Sequence, residues 1–178
     1  LNLSQFEVCK LALKIERIIN PLTGYQDSYG CGLGGGLKRL DITNENISIK
    51  YLNFDNPYNM YLVDTNVVRA STNILETIDV TKSKPLLKLV DDMESNISNS
   101  DKVCEILNKG WKKKKLSSNL ILNSKINELN KRFLLDNSIK SVKLCGAGGG
   151  GYFLLFVDGD YDGIKIDINK DGVLSWMI

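Results

Sequence analysis

Val8, Leu11, Ala12, Ile15, Ile18 and Ile19 recur at steps of three and four, the spacing that gathers apolar side chains on one face of a helix. Ser4-Gln5-Phe6-Glu7 just ahead has the form of a capping box, with Leu3 and Val8 placed as its hydrophobic staple, so a helix is predicted to start there. Asn20-Pro21 should end it, because a proline pushes the residue before it out of the helical region. Beyond a glycine-rich stretch, Leu37–Ile42 and Ile47–Leu52 read as strands joined by Thr43-Asn44-Glu45-Asn46, a hairpin. Met60–Val68 is a further strand. From about Thr72 the period lengthens, and Leu86–Met93, Val103–Trp111 and Ile126–Leu134 are predicted helices. Four short strands follow: Ser141–Cys145, Tyr152–Val157, Ile164–Ile168 and Val173–Ile178. Strands, then helices, then strands is the order of an α+β protein, with a division near residue 57 at Asn56-Pro57.

Composition narrows the chemistry more than the fold. The 178 residues are 43% apolar and 25% charged, the balance of a soluble globular chain of one domain or two small ones. Lysine plus arginine exceed aspartate plus glutamate by only two, so no strong field points to nucleic acid or a membrane, and neither is expected as a partner. Histidine is absent, which removes the Ser-His-Asp and Cys-His triads, histidine bases and most zinc chemistry. No metal-ligand set is predicted. Catalysis here must rest on carboxylates, lysine, arginine, backbone dipoles or a borrowed ion. Four cysteines without a C-x-x-C pair fit a reduced cytoplasm, and no apolar run approaches the roughly 20 residues that span a bilayer. A cytoplasmic chain is expected. Because Leu1 already lies inside the amphipathic pattern, residues upstream of it are expected to have been removed.

Eleven of the fifteen glycines fall in two clusters, Gly24–Gly36 and Gly146–Gly151. Such clustering serves close-packed turns and phosphate loops alike. Both formally match G-x-G-x-x-G, but a dinucleotide loop follows a strand and opens a helix, whereas Tyr152–Val157 after the second cluster is a strand. Without G-K-[ST], the Walker loop fails as well. Asp158-Gly159-Asp160-Tyr161-Asp162-Gly163 copies half of an EF-hand loop but meets Asn169 where a bidentate glutamate is needed, so it reads as a solvated turn. Lys112–Lys115 reads as a solvated helix end. Asp27, inside what looks like a glycine-hinged loop, is the natural candidate to accept a proton or hold a cation; the alternative is an Asx-type turn residue.

Lys143-Leu144-Cys145-Gly146-Ala147-Gly148-Gly149-Gly150-Gly151-Tyr152 resembles the third motif of the GHMP small-molecule kinases, a glycine loop between two strands. Gly24-Tyr25-Gln26-Asp27-Ser28-Tyr29, followed by Gly34-Gly35, is similar to the G-x-Q-D-x-Y…G-G segment of the sugar-phosphate branch, that of heptose 7-phosphate kinases. Trp111–Ser117 looks like a helix end of the same branch. The resemblance implies an N-terminal-domain tail of helix plus hairpin over 1–57, followed by a ferredoxin-like α/β plait over 58–178. It also implies an ATP-dependent kinase acting on a sugar or sugar-phosphate hydroxyl. Asp27 would be the base, Gly146, Ala147, Gly148, Gly149 and Gly150 the loop beside the nucleotide phosphates, and Gln26, Tyr29 and Arg69 sugar or phosphate contacts. ATP and Mg²⁺ are the implied cofactors, with the ion's ligands mainly upstream.

Three departures accompany the match. Asn66 replaces the glycine of the family's T-G-x-x-R segment ahead of Arg69. The P-x-x-x-G-L-G-S-S-A loop that cradles ATP in the family does not occur in these residues, so the chain is expected to be the C-terminal part of such a kinase, weak or inactive alone. Where the family places a helix after the strand matching Tyr152–Val157, this chain runs on through Asp158–Gly163. Open sheet edges would then favour a homodimer or other association. The competing readings are a non-catalytic binding or regulatory module of the same fold, a fucokinase-type sugar kinase, and an unrelated α+β protein with coincidental glycines.

Overall fold

The computed structural model describes residues 3–44, 46–68 and 71–173. The chain divides into two compact units, Leu1–Asn53 together with Ile168–Ile178, and Phe54–Asp167.

In the first unit, α1 (Gln5–Ile19) opens on the predicted capping box: the Ser4 hydroxyl accepts from the Glu7 amide while the Glu7 carboxylate accepts from the Ser4 amide at 2.8 Å. Its C-cap is Asn20, as Pro21 requires. A second helix follows where the glycines suggested a loop, α2 (Gln26–Gly32). The hairpin is as predicted, β1 (Lys38–Thr43) pairing antiparallel with β2 (Asn46–Tyr51). Cys9, Leu13, Tyr29 and Leu33 form the core, with Leu40, Ile47 and Ile49 of the hairpin laid against it. Segment 169–173 closes this unit. Gly35 donates to the Lys170 carbonyl at 2.7 Å and Val173 to that of Gly32 at 3.0 Å, while the Gln5 side chain bonds Gly34, Asp171 and Val173.

The second unit is a four-stranded antiparallel sheet of β3 (Asn59–Asp64), β4 (Ile139–Leu144), β5 (Tyr152–Val157) and β6 (Ile164–Ile166), ordered β4-β5-β3-β6. This is the strand order of the ferredoxin-like plait. Four helices fill the connection from β3 to β4: α3 (Ser71–Glu76), α4 (Val80–Ser95), α5 (Ser100–Lys114) and α6 (Ser124–Leu134). Asp79, Asn99 and Asn123 cap α4, α5 and α6 with their side chains. Phe153, Leu155 and Val157 of β5 face Trp111 and Phe133, whose rings meet Phe153 edge-on with centroids at 6.1 and 5.2 Å. The buried Trp111 indole donates to Asn130 at 2.7 Å, which satisfies both.

No helix joins β5 to β6. Residues 158–163 cross β3 instead, and Tyr161 packs on Tyr61 and Phe133, covering part of the face a second helix would cover. At the β4 edge, Asn108 of α5 donates to the Lys140 carbonyl at 2.9 Å and accepts from Val142 at 3.0 Å, pairing one carbonyl and one amide that a further strand would take. Two strands are shorter than predicted, β3 ending at Asp64 and β6 at Ile166, and the predicted strand Val173–Ile178 lies outside the described residues beyond Val173. Among the described residues no helix is long and apolar enough to cross a membrane.

Candidate functional site

Asp27 does not sit in a loop. It occupies the first turn of α2, exposed, beside the equally exposed Gln26. Two residues on, about 200° around a helix, Tyr29 turns inward and is 1% exposed, its ring 5.4 Å from Phe6 and 6.1 Å from Tyr25. Where the resemblance implied a sugar contact, the Tyr29 ring is packed inward and anchors α2, which leaves Asp27 on the outer side. Arg17 steadies the approach to the helix, its guanidinium 4.7 Å above the Tyr25 ring and its Nε bonded to the Thr23 carbonyl at 3.0 Å. Lys38 closes the far end, donating to the carbonyls of Gly30 at 3.0 Å and Leu33 at 2.7 Å, where the helix dipole favours a cation. Burial pushes the Lys38 amine below its ordinary pKa.

The second glycine cluster is a turn between β4 and β5, as its position between two strands predicts. Gly146, Gly148, Gly149 and Gly151 all hold positive φ. Gly150 is glycine for a different reason: a Cβ there would lie 2.3 Å from the Val67 carbonyl oxygen. The turn's groups are paired unevenly. Its Gly149 amide donates to Ile121 and its Gly151 amide to Val67, while the Gly151 carbonyl accepts from Thr65 at 2.9 Å. Lys114 Nζ donates to the Gly146 carbonyl and Asn123 Nδ2 to that of Gly149 at 2.9 Å. The amides of Gly146, Ala147 and Gly150 donate to no acceptor among the described residues, while that of Gly148 closes a turn on the Cys145 carbonyl. Unpaired amides on a turn rich in left-handed backbone are of the kind that bind anions.

Thr65-Asn66-Val67, which borders this turn, explains the first departure from the family pattern. Asn66 has φ of +53°, a left-handed conformation that asparagine tolerates better than most residues, so it stands where glycine would. Arg69, the remaining predicted contact, lies outside the described residues. Lys114 and Asn123 were not singled out from the sequence: the first was hidden in a lysine run that reads as a solvated helix end, and the second carries the visible signal of a helix cap only.

No family model matches the chain. A curated relative, D-glycero-alpha-D-manno-heptose 7-phosphate kinase of Campylobacter jejuni subsp. jejuni, is 28% identical over 100% of this chain and 61% of its own length. A crystal structure from Campylobacter jejuni assigned as a sugar kinase superposes with a TM-score of 0.68 at 26% identity, covering 100% of this chain and 59% of the other. Mevalonate kinase of Methanococcus jannaschii shares the fold at a TM-score of 0.68 and 19% identity, covering 88% and 50%. The chain thus spans about three fifths of the length of the curated relative. With the plait order and the glycine turn between β4 and β5, these matches make the chain similar to the GHMP kinases, and among them to the heptose 7-phosphate kinase.

Proposed function

We propose that the chain serves an ATP-dependent sugar kinase whose acceptor is a hydroxyl of a sugar phosphate resembling heptose 7-phosphate. The observation that carries this reading is the glycine turn, whose amides at Gly146, Ala147 and Gly150 have no acceptor among the described residues while the carbonyls of Gly146, Gly149 and Gly151 are tied back. Those amides suit the phosphates of ATP: oriented backbone dipoles can meet charge that spreads over phosphoryl oxygens during transfer. Asp27 is the base. Its carboxylate takes the proton of the acceptor hydroxyl as the new P–O bond forms and the bond to the departing ADP breaks. Gln26, exposed beside it, is placed to orient the sugar. Mg²⁺ would neutralise phosphate charge, but no group of three or more Cys, Asp or Glu stands together among the described residues, so no step is assigned to it here. The free thiols suit a reducing cytoplasm.

The test is labelled-phosphate transfer from ATP to heptose 7-phosphate and to fucose by the whole kinase, alongside the 178-residue chain. Heptose 7-phosphate is the preferred acceptor on this reading. The chain alone, which contains no G-L-G-S-S loop, turns over slowly or not at all. Asp27→Asn in the whole kinase lowers turnover by about 10²–10⁴-fold, the usual contribution of a positioned base. Undiminished turnover removes Asp27 as the base, and a preference for fucose moves the reading to the fucokinase type.

A further inference from the structure

We infer that Lys114 and Asn123 are positioning residues for the anion-binding turn, holding its carbonyls inward so that its free amides face a phosphate. The inference rests on the kinase reading for the identity of the anion, and on geometry alone for the positioning.

A glycine-rich turn has no side chains with which to fix its own peptide planes, and each glycine has more backbone freedom to lose than any other residue. A plane that rotates exchanges an outward N–H for an outward C=O, which repels the anion the N–H would bind. Something outside the turn must therefore hold the carbonyls. Lys114 does this at one end: from the last turn of α5, its ammonium donates to the Gly146 carbonyl. Asn123 does it at the other, and its amide is used twice. Its Oδ1 accepts from the Ile126 amide at 2.9 Å as the N-cap of α6, and its Nδ2 donates to Gly149 at 2.9 Å. The Gly146 carbonyl shares its peptide plane with the Ala147 amide and the Gly149 carbonyl shares its plane with the Gly150 amide, so the two anchors set the direction of two unpaired amides.

The lysine run now divides by role. Lys114 bonds the turn, whereas Lys112, two residues and about 200° around the helix away and exposed, has no hydrogen bond to it among the described residues. A role through charge alone would be shared by both, and a role in holding the peptide plane belongs to Lys114.

Four variants separate these outcomes in the chain as it stands. Lys114→Met removes the donor and Lys114→Arg retains one. Lys112→Met removes the same charge without touching the turn. Asn123→Ser keeps a capping hydroxyl for α6 but is too short to reach Gly149. Two readouts are taken: amide hydrogen exchange of Gly149 and Gly151, the turn's amides that are bonded to other segments, and affinity for inorganic tripolyphosphate by calorimetry, with thermal midpoints recorded. Lys114→Met and Asn123→Ser are expected to speed exchange in the turn at least fivefold and weaken tripolyphosphate about three- to tenfold, with midpoints close to that of Lys112→Met. Lys114→Arg restores both readouts. Unchanged exchange in Lys114→Met and Asn123→Ser overturns the inference whatever the chain binds. Equal weakening by Lys112→Met and Lys114→Met overturns it in favour of bulk charge. Accelerated exchange in Lys114→Met and Asn123→Ser of a chain whose wild type binds no tripolyphosphate leaves the carbonyl anchoring standing and removes the kinase reading of the turn.

Discussion

The backbone of Gly150 passes so close to Val67 that a methyl group on its α-carbon would sit 2.3 Å from the Val67 carbonyl oxygen. The same oxygen accepts a hydrogen bond from Gly151 at 3.2 Å, so the contact ties the glycine turn to the segment leaving β3. An oxygen fixed in the main chain cannot step aside as a side chain would. Gly150→Ala should therefore push the turn off Val67 and cost about 1–3 kcal/mol, the range of overpacking in a tight site. Gly30→Ala is the control: it lies inside α2 with nothing within 4 Å of the new methyl, and should stabilise by about 0.5–1 kcal/mol. Urea denaturation of the two variants checks both signs. Equal stability of Gly150→Ala and the wild type would show that the turn has slack.

Asn66 makes a related case in the opposite direction. With φ of +53°, it should accept glycine with little change, whereas Asn66→Val should lose about 1–2 kcal/mol because a branched side chain is strained there. The readout is the same denaturation series. A valine variant as stable as the glycine one would mean that the segment relaxes to negative φ.

How far the sequence revealed this molecule follows from which signals are local. The start of α1, the hairpin, β5 and the three long helices announce themselves through caps and periodicity, because each element's own residues set them. The helix α2 was missed because Gly30 and Gly32 argue against a helix locally; the burial of Tyr29 and the Lys38 cap override that cost from outside the segment. The glycine turn was legible as a turn between strands, but its supports were not. Lys114, Asn123 and Val67 reach it from 26 to 84 positions away, and no spacing rule links a lysine run to a carbonyl in another element. Asp27 was legible as the candidate carboxylate, though not as a helical residue.

The sheet edge at β4 depends on one side chain. Asn108 satisfies the Lys140 carbonyl and the Val142 amide together, so Asn108→Leu leaves a half-buried donor and acceptor without partners. The loss should be about 1–3 kcal/mol. The uncovered edge should also promote association that sedimentation velocity detects at high concentration. A leucine variant that keeps both its stability and its sedimentation coefficient would show that water replaces Asn108 without penalty.

Acid should weaken one surface cluster on α5 in a defined window. Hydrogen bonds from Lys102 and then Lys109 hold the Glu105 carboxyl down at about 2, with ammonium-to-carboxylate distances of 2.7 and 2.8 Å. A carboxylate with a depressed folded-state pKa adds stability that is fully present above its ordinary value of 4.5 and is lost as pH falls toward about 2. The difference in thermal midpoint between wild type and Glu105→Gln should thus be constant from pH 7 to 5 and shrink between pH 4.5 and 2. Because the cluster is exposed, added salt should shrink it as well. A difference that ignores both pH and salt would mean that the pair contributes nothing in solution.

The cysteines offer a readout of opening in the second unit. Cys104 is 3% exposed on the inner side of α5, and burial, with a smaller contribution from Asp101, pushes its thiol up to about 11. Cys9 is 1% exposed in the other unit and is raised by burial as well, whereas Cys31 is exposed near the end of α2. Since the thiolate is the nucleophile, both access and ionisation protect Cys104. Iodoacetamide near neutral pH should label Cys31 first, while Cys104 should react only through molecules in which α5 has left the sheet. Its labelling rate should then rise with urea in step with unfolding of this unit, as expected of a site protected by opening free energy. Peptide mapping over a time course measures each rate. Labelling of Cys104 at a rate near that of Cys31, or one indifferent to urea, would show that α5 opens locally, and the Asn108 contact with β4 would have to open with it.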